Sequence, residues 1–186
     1  MPIIVEHHNA ALIFRLVGDT YISAKTWEDA IDARVFDHEL ATGQTLRGFP
    51  LDDMWLKIAR LAHEQGLPIP PWYGTTQGAY RYEFQFTSQG LLLRCSNSET
   101  SDTLELVEST AATQPIPEVD TSSSYMAFPI DGPSYQRLAA WACREARQAR
   151  ISRYHYRFVP TTVIGIATVY DSETGNEIDV TDYGDV

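Results

Sequence analysis

AYRYEFQFTSQGLLLRCS, residues 79–96, decides the fold. In its first half Tyr80, Tyr82, Phe84 and Phe86 alternate with Arg81, Glu83, Gln85 and Thr87. A period of two puts the four aromatics on one face of a strand and the polar set on the other. Ser88-Gln89-Gly90 turns the chain, and LLLRCS (91–96) returns as the antiparallel partner. TLELVE (103–108) adds a third strand. An aromatic face of this kind is the core side of a sheet, or the floor of an apolar ligand cavity.

Working outward, IIVEH (3–7) and ALIFRLV (11–17) read as two neighbouring strands, with Tyr21–Ala24 as a third short one. Tyr125–Ile130 is a strand leading into a helix. SRYHYRFV (152–159) alternates Tyr154, Tyr156 and Phe158 against Arg153, His155 and Arg157. TVIGIATVY (162–170) is apolar and β-branched throughout, which predicts a central strand buried on both sides. A hairpin at Ser172–Asn176 follows. VFDHELATGQTLRGF (35–49) reads as another hairpin, turned by Thr42-Gly43.

Two principal helices are predicted. In 51–65, Leu51, Met54, Trp55, Ile58, Leu61 and Ala62 form one face, with Asp52 and Asp53 in the first turn and Gly66 as the stop. In 134–150, entered through Asp131-Gly132-Pro133, the residues Tyr135, Leu138, Ala139, Ala142, Ala146 and Ala149 form an apolar stripe flanked by Trp141. Arg137, Arg144 and Arg147 lie opposite that stripe. A short helix over TWEDAIDA, capped by Thr26, completes the set. The fold class is therefore α+β, a mainly antiparallel sheet with helices 51–65 and 134–150 packed on it, in a single domain spanning 1–186. The small, polar, proline-bearing stretch 109–122 is a long loop and the one place for a subdomain boundary.

Of the 186 residues 44% are hydrophobic, enough to bury a core. The formal net charge is −11. That argues against general nucleic-acid affinity, which needs clustered positive charge, and it suits a basic protein partner. Arginine outnumbers lysine 12 to 2, as in a GC-rich coding sequence of bacterial or phage type. MPIIVEHHNA has no basic leader, and no window reaches the length of a membrane span, so the expected location is cytoplasmic. Cys95 and Cys143 are widely spaced and predicted as two buried thiols.

Phosphate-loop, dinucleotide and nucleophile-elbow motifs are absent, as is any histidine spacing that suits a metal. No catalytic residue, metal ligand or cofactor is therefore assigned, and a non-enzyme is favoured. The candidate anion- or partner-binding residues are Arg137, Arg144 and Arg147 on the helix, with Trp72 and Tyr73 in the loop PIPPWYG (68–74). Between Cys95 and Gln136 there is no Lys or Arg. Glu99, Asp102, Glu105 and Glu108 in that block, with Asp179 and Asp182 in the tail, are the acidic interaction candidates. Because the block precedes the arginine-bearing helix, pairing between the two is expected. The leading expectation is a non-enzymatic acidic module, of inhibitor, immunity or antitoxin type, that engages a basic partner surface. The alternatives are a structural or assembly subunit of a phage-like or oligomeric particle, and a small ligand-binding domain or enzyme with an aromatic-lined pocket and arginines for an anion.

Overall fold

The computed structural model describes residues 3–8, 10–67, 78–109, 124–145, 153–161 and 164–184. Its strands are β1 (Ile3–His8), β2 (Ala11–Leu16), β3 (Tyr80–Thr87), β4 (Gly90–Asn97), β5 (Thr103–Ser109), β6 (Met126–Asp131), β7 (Tyr154–Val159), β8 (Ile166–Asp171) and β9 (Glu177–Asp179). Its helices are α1 (Gly18–Thr42), α2 (Asp53–Glu64) and α3 (Gly132–Glu145). The strands form two antiparallel sheets, ordered β1-β2-β6 and β5-β4-β3-β7-β8-β9. The α+β class expected from the sequence holds. Among the described residues no helix is long and apolar enough to cross a membrane.

The aromatic face of β3 is where the sheets meet. Phe84 is fully buried and stacks on Phe14 of β2, with ring centroids 4.5 Å apart. Phe128 of β6 lies against Tyr82, Phe84 and Phe158. The alternation legible in β3 recurs as Leu12, Phe14 and Leu16 on β2 and as Tyr154, Tyr156 and Phe158 on β7. These side chains share one core. Each fully buried one contributes about 1.5–3 kcal/mol relative to exposure. The layer over the aromatic face is thus largely another sheet, supplemented by helices.

Three local expectations are corrected. Tyr21–Ala24 and the first part of 35–49 are not extended. Both belong to α1, a single helix of 25 residues. Its buried positions are Thr20, Ala24, Glu28, Ile31, Val35, Phe36 and Glu39. That stripe has helical spacing but includes polar residues, so hydrophobic periodicity does not reveal it. Thr42-Gly43 is the helix end and not a hairpin turn: Gly43 has φ 68° and its N–H donates to the Glu39 carbonyl at 2.8 Å. Strand β8 is buried on one face only, with Ala167 and Val169 inside and Ile166 exposed. The opposite face of this sheet carries charge, Arg157 lying 3.8 Å from Glu83 and 3.7 Å from Glu177.

The helices dock separately. On α1, Ala24 enters the main core and Trp27 meets Tyr80 edge-on. Phe36 and Leu40 of α1 form a second, small cluster with Ala59 of α2 and Leu51. That contact turns Ala59 and Ala62 inward and leaves Met54, Ile58 and Leu61 exposed. The predicted apolar face of 51–65 is therefore only partly used. Helix α3 packs Leu138, Ala142 and Trp141 on the core as expected, Trp141 lying 5.3 Å from Tyr154.

Candidate functional site

Where β6 runs into α3, the two sheets leave a cleft of about 270 Å³. Four separate segments build it: β6 with the first turn of α3, the end of β7, the start of β8, and the C-terminal tail. Phe158, Val159, Ile166, Ala167 and Val180 supply apolar walls, and Asp131 and Asp182 are the charged groups that line it. Asp182 accepts a hydrogen bond from the Gly184 N–H at 2.9 Å.

The tail forms one wall of this cleft because it is held from both sides. The Val180 N–H donates to the Ala167 carbonyl at 2.8 Å, and the Ala167 N–H donates to Thr181 Oγ1 at 3.0 Å. From the helix, Arg137 donates to the Thr181 carbonyl at 2.6 Å and to Ser134 Oγ at 3.1 Å. Val180, Thr181 and Ser134 are all buried. Burial raises the Asp179 carboxyl, but hydrogen bonds from the Thr181 and Tyr183 hydroxyls, the Thr181 N–H and the field of Arg137 outweigh it and hold the group below its usual range.

The sequence-derived candidates separate on this framework. Arg137 is a fastener for the tail. Arg144 is exposed and makes no ion pair among the described residues. Arg147, Trp72 and Tyr73, with the remainder of the 68–74 loop and of the 109–122 stretch beyond Ser109, lie outside the described residues. Among the described residues three members of the acidic block pair elsewhere than with the α3 arginines, while Arg147 and positions 110–123 lie outside the described residues. Asp102 pairs with Arg34 of α1, Glu99 with Arg47 at 3.1 Å, and Glu105 with Arg94 of the adjacent strand at 2.8 Å. The physical reason is register: β4 and β5 are antiparallel neighbours, which sets Arg94 opposite Glu105, and α1 passes the turn that joins them. Glu108 sits on β5 opposite Leu91. Asp179 accepts from the Thr181 N–H at 2.8 Å and from the Tyr183 hydroxyl at 2.7 Å. Among the described candidates, only Asp182 lines the acidic cleft.

A second hollow, of about 160 Å³, opens between the β1–β2 hairpin, α3 and β7. His7, Leu12, Tyr135, Leu138, Cys143, Tyr154 and Tyr156 are among its lining residues. His7 Nε2 and the Tyr135 hydroxyl are hydrogen-bonded at 2.6 Å. Burial, with the neighbouring Tyr154 and Tyr135, raises the Tyr156 phenol well above its ordinary value. Cys143 is exposed, contrary to the sequence expectation, whereas Cys95 is fully buried as expected. Cys143 falls beside the apolar stripe of α3 and on its outward side, which residue spacing alone did not resolve.

Sequence reasoning missed both hollows. Pro129, Phe158, Ile166 and Val180 meet only through tertiary packing, and no local spacing announces it. His7 and Tyr135 are 128 positions apart. No family model, curated protein or solved structure matches the chain.

Proposed function

We propose that the protein is a non-enzymatic binding module that engages a basic protein surface, and that the acidic cleft receives a lysine or arginine side chain of that partner. One observation carries this proposal. Among the described lining residues the charged groups are the carboxylates of Asp131 and Asp182, set at walls of Phe158, Val159 and Ile166. An apolar sleeve with acidic groups suits an aliphatic stem that ends in a cation. The positive end of α3, about half a charge, and the Arg137 guanidinium, which donates to the lining Ser134, oppose a cation there, and the two carboxylates favour it. The net charge of −11 acts at longer range, steering a basic partner and making association salt-dependent. The exposed Met54, Ile58 and Leu61 of α2 add an apolar surface of the kind that partners cover.

The test is a nuclear magnetic resonance titration with a short oligo-arginine peptide, and an oligo-glutamate peptide as control. The arginine peptide should shift the resonances of Ile166, Val180 and Asp182, and added salt should weaken it. Asp131→Asn combined with Asp182→Asn should abolish the effect. Shifts spread evenly over the acidic surface and unchanged in the double variant would refute a role for the cleft.

A further inference from the structure

Independently of the acidic cleft, we propose that the hollow between the β1–β2 hairpin, α3 and β7 is a binding site for a small neutral hydroxylated ring, of the class of phenol. The volume of about 160 Å³ sets the size. A dry cavity of about 150 Å³ takes up benzene, so one ring fits and little more. The walls set the polarity. Leu12, Leu138 and Ala142 are buried and aliphatic, and the buried rings of Tyr154 and Tyr156 face the same space. No Asp, Glu, Lys or Arg is among the described lining residues. A charged ligand would lose its hydration there without a counter-charge.

The hydroxyl requirement comes from the His7–Tyr135 pair. If the Tyr135 O–H donates to an unprotonated Nε2, the phenol oxygen keeps acceptor capacity for a ligand O–H. If Nε2–H donates to Tyr135, the phenol O–H is left to donate to a ligand oxygen. A hydroxyl serves in either case, because it is both donor and acceptor. The assignment therefore does not depend on the imidazole tautomer.

Cys143 supplies a reporter. Its thiol is exposed and the residue lines the hollow, whereas Cys95 is buried and its thiol is pushed up to about 12 by that burial. Alkylation of the native protein by N-ethylmaleimide, followed by intact mass, should therefore read Cys143 alone. Phenol should slow this reaction saturably, with half-protection on the order of 1 mM, the range open to so few contacting atoms. Benzoate, of similar size but charged, should not protect. Tyr135→Phe should weaken phenol about tenfold, as one lost hydrogen bond predicts, and leave protection by benzene in place. Ala142→Leu, which fills the hollow without touching the hydroxyl pair, should remove protection by both. The proposal is overturned if phenol does not protect the unmodified protein, if benzoate protects equally, or if a folded Tyr135→Phe protein binds phenol unchanged. Should either variant fail to fold, the phenol-against-benzoate comparison on the unmodified protein decides.

Discussion

Replacing Arg137 with alanine should loosen the C-terminal tail and leave the rest of the fold standing. The guanidinium donates to the buried Thr181 carbonyl at 2.6 Å and to the buried Ser134 hydroxyl at 3.1 Å. A hydrogen bond from a charged donor contributes roughly 1.5–3 kcal/mol, and the solvent exposure of Arg137 places it at the lower end. A loss of about 1.5–2 kcal/mol corresponds to tail opening some 10- to 30-fold more frequent. Native-state hydrogen exchange reads this directly at the Val180 amide, which bonds to Ala167 across the sheet. The Val169 amide in the core reports global unfolding, and Arg144→Ala serves as a charge-matched control. Unchanged exchange at Val180, or an equal rise at Val169, would refute the assignment. There is a second consequence with an instructive sign. Removing a positive charge should strengthen a basic peptide by electrostatics alone. Because Val180 and Asp182 line the acidic cleft, Arg137→Ala should instead weaken it.

Three further outcomes follow from the packing and the charges. Phe14→Leu and Phe84→Leu should each cost roughly 1–2 kcal/mol in urea denaturation. Because the rings stack at 4.5 Å, the pair should couple by about 0.5–1.5 kcal/mol, and additivity within about 0.3 kcal/mol would mean that the sheets do not meet there. The Asp171 carboxyl is held well below its usual range, first by Arg153 and then, against the cost of burial, by the Glu173 and Thr174 N–H groups and the Thr174 hydroxyl. A depressed carboxylate stabilises above its unfolded value and loses that effect as pH falls towards its folded value. Asp171→Asn should therefore lower Tm at pH 7, with a gap that narrows once pH drops below the ordinary 3.8; a gap that stays constant into acid would count against it. Met54→Lys and Leu61→Lys should change unfolding free energy by no more than about 0.5 kcal/mol while lowering binding of a hydrophobic dye, since both side chains are exposed.

The antiparallel sheets were legible because their signal is local. Tyr80 to Phe86 and Tyr154 to Phe158 alternate strictly, and each strand pairs with a neighbour reached by a short turn or by complementary burial. Helix α1 was not legible. Tyr21, Ile22, Val35 and Phe36 favour strands locally, and its inward stripe carries Thr20, Glu28 and Glu39. Burial raises the Glu28 carboxyl, and Lys25 beside it pulls in the opposite direction. A paired acid of this kind can face inward without an apolar sequence signature. The clefts were illegible for a different reason. Asp182 stands out in the sequence for its charge, and Asp131 only as part of the helix entry Asp131-Gly132-Pro133. Nothing in their spacing tells that the tail folds back beside β6.

The three-stranded sheet joins the hairpin Ile3–Leu16 to a strand more than a hundred residues further along the chain, Met126–Asp131. Strand β2 pairs on one side with β1 and on the other with β6, Leu16 lying opposite Met126. During synthesis the hairpin Ile3–Leu16 leaves the ribosome long before its third strand exists. At about 5–20 residues per second that interval is on the order of ten seconds. Throughout it the face bearing Leu12, Phe14 and Leu16 has neither its edge partner β6 nor the aromatic cover of β7. A two-stranded hairpin is marginal alone in water, so this segment has to wait in an unsettled state. The chain is therefore most open to misassociation in the interval between synthesis of β2 and of β6, and a silent codon change that slows elongation between α1 and β6 should lower the yield of folded protein without altering one residue of it.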